Sequence, residues 1–124
     1  MQHILKITRE FHFDAAHHLT NYYGKCENPH GHTYRLMVTV EGVIADDGLV
    51  IDFVVLKKLV KERVLEKLDH IDLNNIFENP SAENIAVWIW DQLKDIGASV
   101  ERPVKLVEVK LWEGQNTSVT YAGN

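Results

Sequence analysis

The chain has 124 residues, 45% of them hydrophobic and 25% charged, with a formal net charge of −5 at pH 7. That is one domain's worth of chain, long enough to bury a core without staples, and its acidic balance with no dense basic cluster excludes nucleic acid as a partner. No apolar run approaches the roughly 20 residues that cross a bilayer, the opening MQHILKITREFHF has no apolar signal region, and a single cysteine suits a reducing compartment, so a cytoplasmic protein without a membrane partner is expected.

No repeat, low-complexity stretch or linker divides residues 1–124, which read as a single domain. ILKITREFHF (4–13) alternates, with Leu5, Ile7 and Arg9 on one side, and reads as a strand. TYRLMVTVEGV (33–43) alternates more cleanly, with Tyr34, Leu36, Val38 and Val40 sharing one face. Between them, 14–32 is a long segment holding four of the seven histidines and the only cysteine. A loop of that length is more often functional than idle. The DDG triplet at 46–48 signals a turn, and Asp52 fits the N-cap of a helix over 53–68. In that helix Val55, Leu56, Leu59, Val60, Val64, Leu65 and Leu68 recur with helical period. NPSAENIAVWIWDQL (79–93) begins a second helix with Ser81 as its cap and Glu83 in its first turn, and Gly97 is the expected stop. Residues 103–113 and 117–122, separated by Gly114, Gln115 and Asn116, read as a closing hairpin. The order ββααββ predicts an α+β domain, an antiparallel sheet with helices on one face.

Residues two apart in an extended chain point to one side, so His30 and His32 can aim both rings at one point. FDAAHHL offers a third imidazole from His17 or His18. Three imidazoles with an open fourth position make a catalytic zinc arrangement, whereas Cys26 as a fourth ligand would close the site into a structural module. Asp69 and His70 sit side by side at the first helix's end, where a histidine cation is also favoured by the helix dipole. Glu113 is in phase with Val107, Val109 and Leu111, and a carboxylate on an apolar face needs a partner unless the strand has reached the surface there.

The segments FDAAHHL, CENPHGHTY, GLVIDF, LDHIDLN, PSAENIAVWIW and VKLWE resemble, in order and spacing, the 6-pyruvoyl-tetrahydropterin synthase/6-carboxytetrahydropterin synthase family over residues 9–122. The resemblance implies a tunnelling fold, in which ββααββ subunits form a trimeric barrel and two trimers stack into a homohexamer. It implies Zn2+ bound by His17, His30 and His32, with Cys26 as general base and Asp69 and His70 as a relayed acid/base pair. Glu113 would anchor the pterin ring, and Glu83 would be a second pterin-side contact. The implied substrate is 7,8-dihydroneopterin triphosphate.

Two positions depart from the family pattern. Gly114 follows the late glutamate where threonine is frequent, and Ala82 stands where threonine is common. The compact C-x3-H-G-H spacing resembles 6-carboxytetrahydropterin synthases of the queuosine (7-deazaguanine) route, which release acetaldehyde and triphosphate. The alternatives are a 6-pyruvoyl-tetrahydropterin synthase, which eliminates triphosphate only, and a non-catalytic pterin- or purine-binding protein of the same fold.

Overall fold

The computed structural model describes residues 2–17 and 30–124, with side chains for 2–17 and 32–124. Four antiparallel strands lie in the order β1 (Ile4–His17), β2 (His30–Val43), β3 (Val104–Glu113) and β4 (Thr117–Tyr121). Both first strands run further than their alternation suggested, so the segment read as 14–32 narrows to the residues between His17 and His30. The excess is the part of the chain that carries chemistry. Alternation of small and polar residues there masks a strand that the register continues to His17↔His30.

One sheet face carries Phe11, Phe13, Ala15 and His17 from β1 and Tyr34, Leu36, Val38 and Val40 from β2, all buried. The buried helix residues join the same core, so the helices cover this one face. On β3 the apolar row changes phase, since Val104 and Leu106 are buried and then Val109 and Leu111. The ladder explains it: Thr39 faces Glu108 while Val40 faces Leu106, leaving Val107 as the extra residue of a β-bulge.

Helix α1 (Phe53–Val60) starts where the Asp52 carboxylate accepts the Val54 N–H at 2.8 Å. It runs without a break into a π-helical segment (Lys61–Leu65) and a last turn, α2 (Glu66–Leu68). Its fully buried residues, Leu56, Val60, Val64 and Leu68, fall every fourth position. Four-residue steps drift around a regular α-helix, and the wider i→i+5 turn takes back part of that rotation. Val55, expected on the apolar face, stands 42% exposed. Helix α3 (Ala82–Leu93) is capped by Ser81, whose hydroxyl accepts the Asn84 N–H at 3.1 Å.

The second helix does not stop at Gly97. It stops at Leu93, and Gly97 lies inside a short α4 (Ile96–Val100) that ends at Glu101, in the left-handed region at φ 55°. The glycine serves a close approach, because a Cβ built there would run into the Val104 carbonyl oxygen. We expect Gly97→Ala to destabilise the protein by about 1–3 kcal/mol, the usual cost of overpacking, measured by urea unfolding; unchanged stability would contradict this account of the packing.

Candidate functional site

Two side-chain clusters form at the end of the β1–β2 ladder. In the first, Ala15 is the register partner of His32 and His17 that of His30, so His17 and His32 are diagonal neighbours on the covered face. Their rings stack with centroids 4.8 Å apart and an interplanar angle of 26°. Glu113, opposite Tyr34 in the β2–β3 ladder, brings its Oε1 to 3.2 Å from His32 Nε2 and 3.8 Å from His17 Nε2. One ligand atom from each of His17, His32 and Glu113 lies within 4.8 Å of the others, a group that could hold a metal ion. Two imidazole nitrogens and a carboxylate oxygen suit a divalent cation of the zinc type. Behind them the buried Tyr34 places its hydroxyl 2.7 Å from His17 Nδ1. Burial, and secondarily the Glu113 carboxylate, push the Tyr34 pKa well above the ordinary phenol value, so this hydroxyl stays neutral.

The second cluster is built on the edge of β1 away from β2. There the segment after α2 lies alongside the strand: His70 N–H donates to Asp14 O at 2.6 Å and Ala16 N–H to Ile71 O at 3.1 Å, with a parallel bridge between Ala16 and Asp72. His70 takes a left-handed backbone, φ 60°. Its ring Nδ1 lies 2.9 Å from Asp69 Oδ2, while Asp69 Oδ1 accepts the Asp14 N–H at 3.0 Å. The Asp14 carboxylate accepts from the Thr33 hydroxyl at 2.6 Å. The Asp14 N–H, ahead of the His70 contacts, holds the Asp69 carboxyl below the usual carboxylate range. Asp69 is thus an anion that fixes one nitrogen of His70 and leaves the other directed outward, with the His70 side chain 77% exposed.

His32 from the first cluster and Asp14 and His70 from the second line one cleft of about 550 Å3, together with Ala15, Ala16, Thr33, Ile71 and Asp72. Of the residues singled out in the sequence, His17, His32, Asp69, His70 and Glu113 therefore lie in or beside one region. Cys26 and His18 fall outside the described residues, as does the side chain of His30. Glu83 stands exposed in the first turn of α3, in neither cluster. Gly114, the departure beside Glu113, turns the β3–β4 hairpin at φ 76°, a conformation in which threonine would be strained. The sequence reading passed over Asp14 and Tyr34. For Tyr34 a signal existed: a tyrosine within an apolar row must find a partner for its hydroxyl.

The family model for 6-pyruvoyl tetrahydropterin synthase matches residues 6–124. A dihydroneopterin monophosphate aldolase of Pyrococcus furiosus is 44% identical over 107 residues, covering 86% of this chain and 88% of the relative. A 6-carboxy-5,6,7,8-tetrahydropterin synthase of Haemophilus influenzae is 33% identical, with 95% and 99% covered. Among solved structures, the 6-pyruvoyl tetrahydropterin synthase of Caenorhabditis elegans superposes with a TM-score of 0.84 at 29% identity, covering 98% of this chain and 96% of that one.

Because the folded-state pKa of Asp69 is depressed, its contribution to stability is present above the unfolded value of about 3.9 and is lost as pH falls through the lower folded value. Wild type should therefore exceed Asp69→Asn in stability at neutral pH, with the gap closing below about pH 4. Urea unfolding across that range checks it, and a gap independent of pH would refute it.

Proposed function

Because the chain belongs to the 6-pyruvoyl tetrahydropterin synthase family, we propose that it is a zinc-dependent pterin lyase that converts 7,8-dihydroneopterin triphosphate and one water to 6-carboxy-5,6,7,8-tetrahydropterin, releasing acetaldehyde and triphosphate. The observation that carries this reading is the single cleft lined by His32, of the metal-type cluster, and His70, of the acid/base-type cluster. A substrate side chain in that cleft would meet both.

His17 and His32, joined by His30, would hold the zinc; bound there, it supplies Lewis-acid polarisation of the substrate's side-chain hydroxyls. His70 exchanges a proton with the side chain from its outward nitrogen, and Asp69 keeps the ring turned for it. Cys26 is the general base that removes the first proton. Glu113 accepts the paired N–H groups of the pterin's 2-amino edge. Since its Oε1 is 3.2 Å from His32 Nε2, a ring anchored on it would hold its side chain beside the histidines that would bind the metal. Glu83, exposed and outside the cleft, contributes its pterin-side contact to a neighbouring subunit of a homohexamer.

A second reading is favoured by the 44%-identical aldolase: cleavage of the C1′–C2′ bond of dihydroneopterin monophosphate, giving a 6-hydroxymethyl pterin and glycolaldehyde phosphate. Both readings break the same bond, and both use a proton taken from and returned to the side chain. One experiment separates them. The zinc-loaded protein is incubated with dihydroneopterin triphosphate and, separately, with the monophosphate, and the pterin and aldehyde are identified. Acetaldehyde with a 6-carboxy pterin supports the first reading and glycolaldehyde phosphate the second. A 6-pyruvoyl product without aldehyde overturns both.

Two further outcomes are expected. His70→Asn, which tolerates the left-handed backbone, should lower kcat by ~10²–10⁴-fold with zinc content unchanged by metal analysis. The outer strands β1 and β4 leave sheet edges that soluble proteins pair or blunt, so light scattering at micromolar concentration should report a closed oligomer; a monomer would refute the shared site.

A further inference from the structure

Tyr34 has no place in the reaction outlined above, yet it makes a short buried side-chain contact to the metal-type cluster. It is fully buried, stacked against Phe13 with ring centroids 4.8 Å apart and planes 8° from parallel. Its hydroxyl meets His17 Nδ1 at 2.7 Å, and His17 itself is 1% exposed. An imidazole ring can flip about its bond to Cβ, exchanging nitrogen for carbon on each side. Only one flip state presents Nδ1 to a hydrogen-bonding partner. The Tyr34 hydroxyl donates or accepts, so it holds that state whichever ring nitrogen carries the proton. In the same state Nε2 faces His32 and Glu113, 3.8 Å from Glu113 Oε1.

We infer that Tyr34 is a positioning residue for metal binding: its hydroxyl selects the ring orientation of His17 that turns Nε2 toward the space shared with His32 and Glu113. This rests on the metal reading given under the proposed function. Groups that orient a ligating histidine through its second nitrogen typically change metal affinity 10–100-fold. Tyr34 does so from inside the core, where full burial and a strand backbone paired on both sides fix the hydroxyl. Burial, and secondarily the Glu113 carboxylate, keep the phenol neutral, which is consistent with this role.

The test compares three proteins by zinc affinity in chelator competition and by melting temperature of the metal-free form. Tyr34→Phe removes one oxygen and keeps the ring; it should melt close to wild type but bind zinc 10–100-fold more weakly. Phe13→Leu disturbs the stack and keeps the hydroxyl; it should melt lower and retain wild-type affinity. Equal affinities of Tyr34→Phe and wild type overturn the inference, as does a comparable loss in Phe13→Leu, which would assign the effect to packing. A wild-type protein that binds no stoichiometric zinc removes the metal reading itself, and this inference with it. Should Tyr34→Phe fail to fold, long-range ring spectra of zinc-loaded, 15N-labelled wild type decide alone. The expected result is His17 with Nδ1 protonated and Nε2 on the metal; metal on Nδ1 overturns the inference.

Discussion

The register of the β1–β2 ladder is the constraint on which the site depends. It pairs Ala15 with His32 and Phe13 with Tyr34, and strand side chains alternate, so a slip of β1 by one residue would turn Phe13, Ala15 and His17 away from the face that β2 keeps. The forces that hold it are unequal. A buried aromatic or aliphatic side chain contributes ~1.5–3 kcal/mol, and a slip of β1 would expose Phe11, Phe13 and Ala15 together. Partly exposed polar contacts such as His32–Glu113 contribute about 0–1 kcal/mol. The apolar row sets the register, and the imidazoles are carried into place by it.

The second cluster reaches the same cleft by a different route. Among the described residues β1 has no partner strand on its outer side, and its backbone groups at Asp14 and Ala16 pair instead with the main chain of His70 and Ile71. Backbone hydrogen bonds therefore position Asp69 and His70, while the Asp14 and Thr33 side chains pair beside them. The Asp69 carboxylate shares in that support by accepting the Asp14 N–H. The edge pairing also accounts for the left-handed backbone of His70, which lets one residue bond to β1 through its N–H while its ring returns to Asp69.

Much of this was legible in the sequence. Alternation located β1 and β2, turn residues located the closing hairpin, and the caps Asp52 and Ser81 were identified by residue type and spacing. The phase of Glu113 with Val107, Val109 and Leu111 left open whether its carboxylate meets a partner or the surface. The rest needed three-dimensional information. Nothing local distinguishes a glycine that ends a helix from one that admits a neighbouring carbonyl, as Gly97 does. The pairing of Asp14 with Asp69 spans 55 residues and depends on an edge contact that no periodicity encodes. The approach of Glu113 to His17 and His32 depends on two ladders meeting at Tyr34, and on the bulge between them.

That bulge bears on how relatives of this chain are compared. Val107 is an extra residue between two stretches of β3 whose buried rows would otherwise be out of step. A strand one residue shorter, with the same apolar composition and the same terminal glutamate, could satisfy one stretch only. Either Val104 and Leu106 would face away from the core, or Leu111 and Glu113 would. A matched glutamate in an aligned sequence is thus equivalent to Glu113 only when the residue count back to Leu106 is conserved as well. A single gap in that interval reverses which side of the sheet the carboxylate occupies.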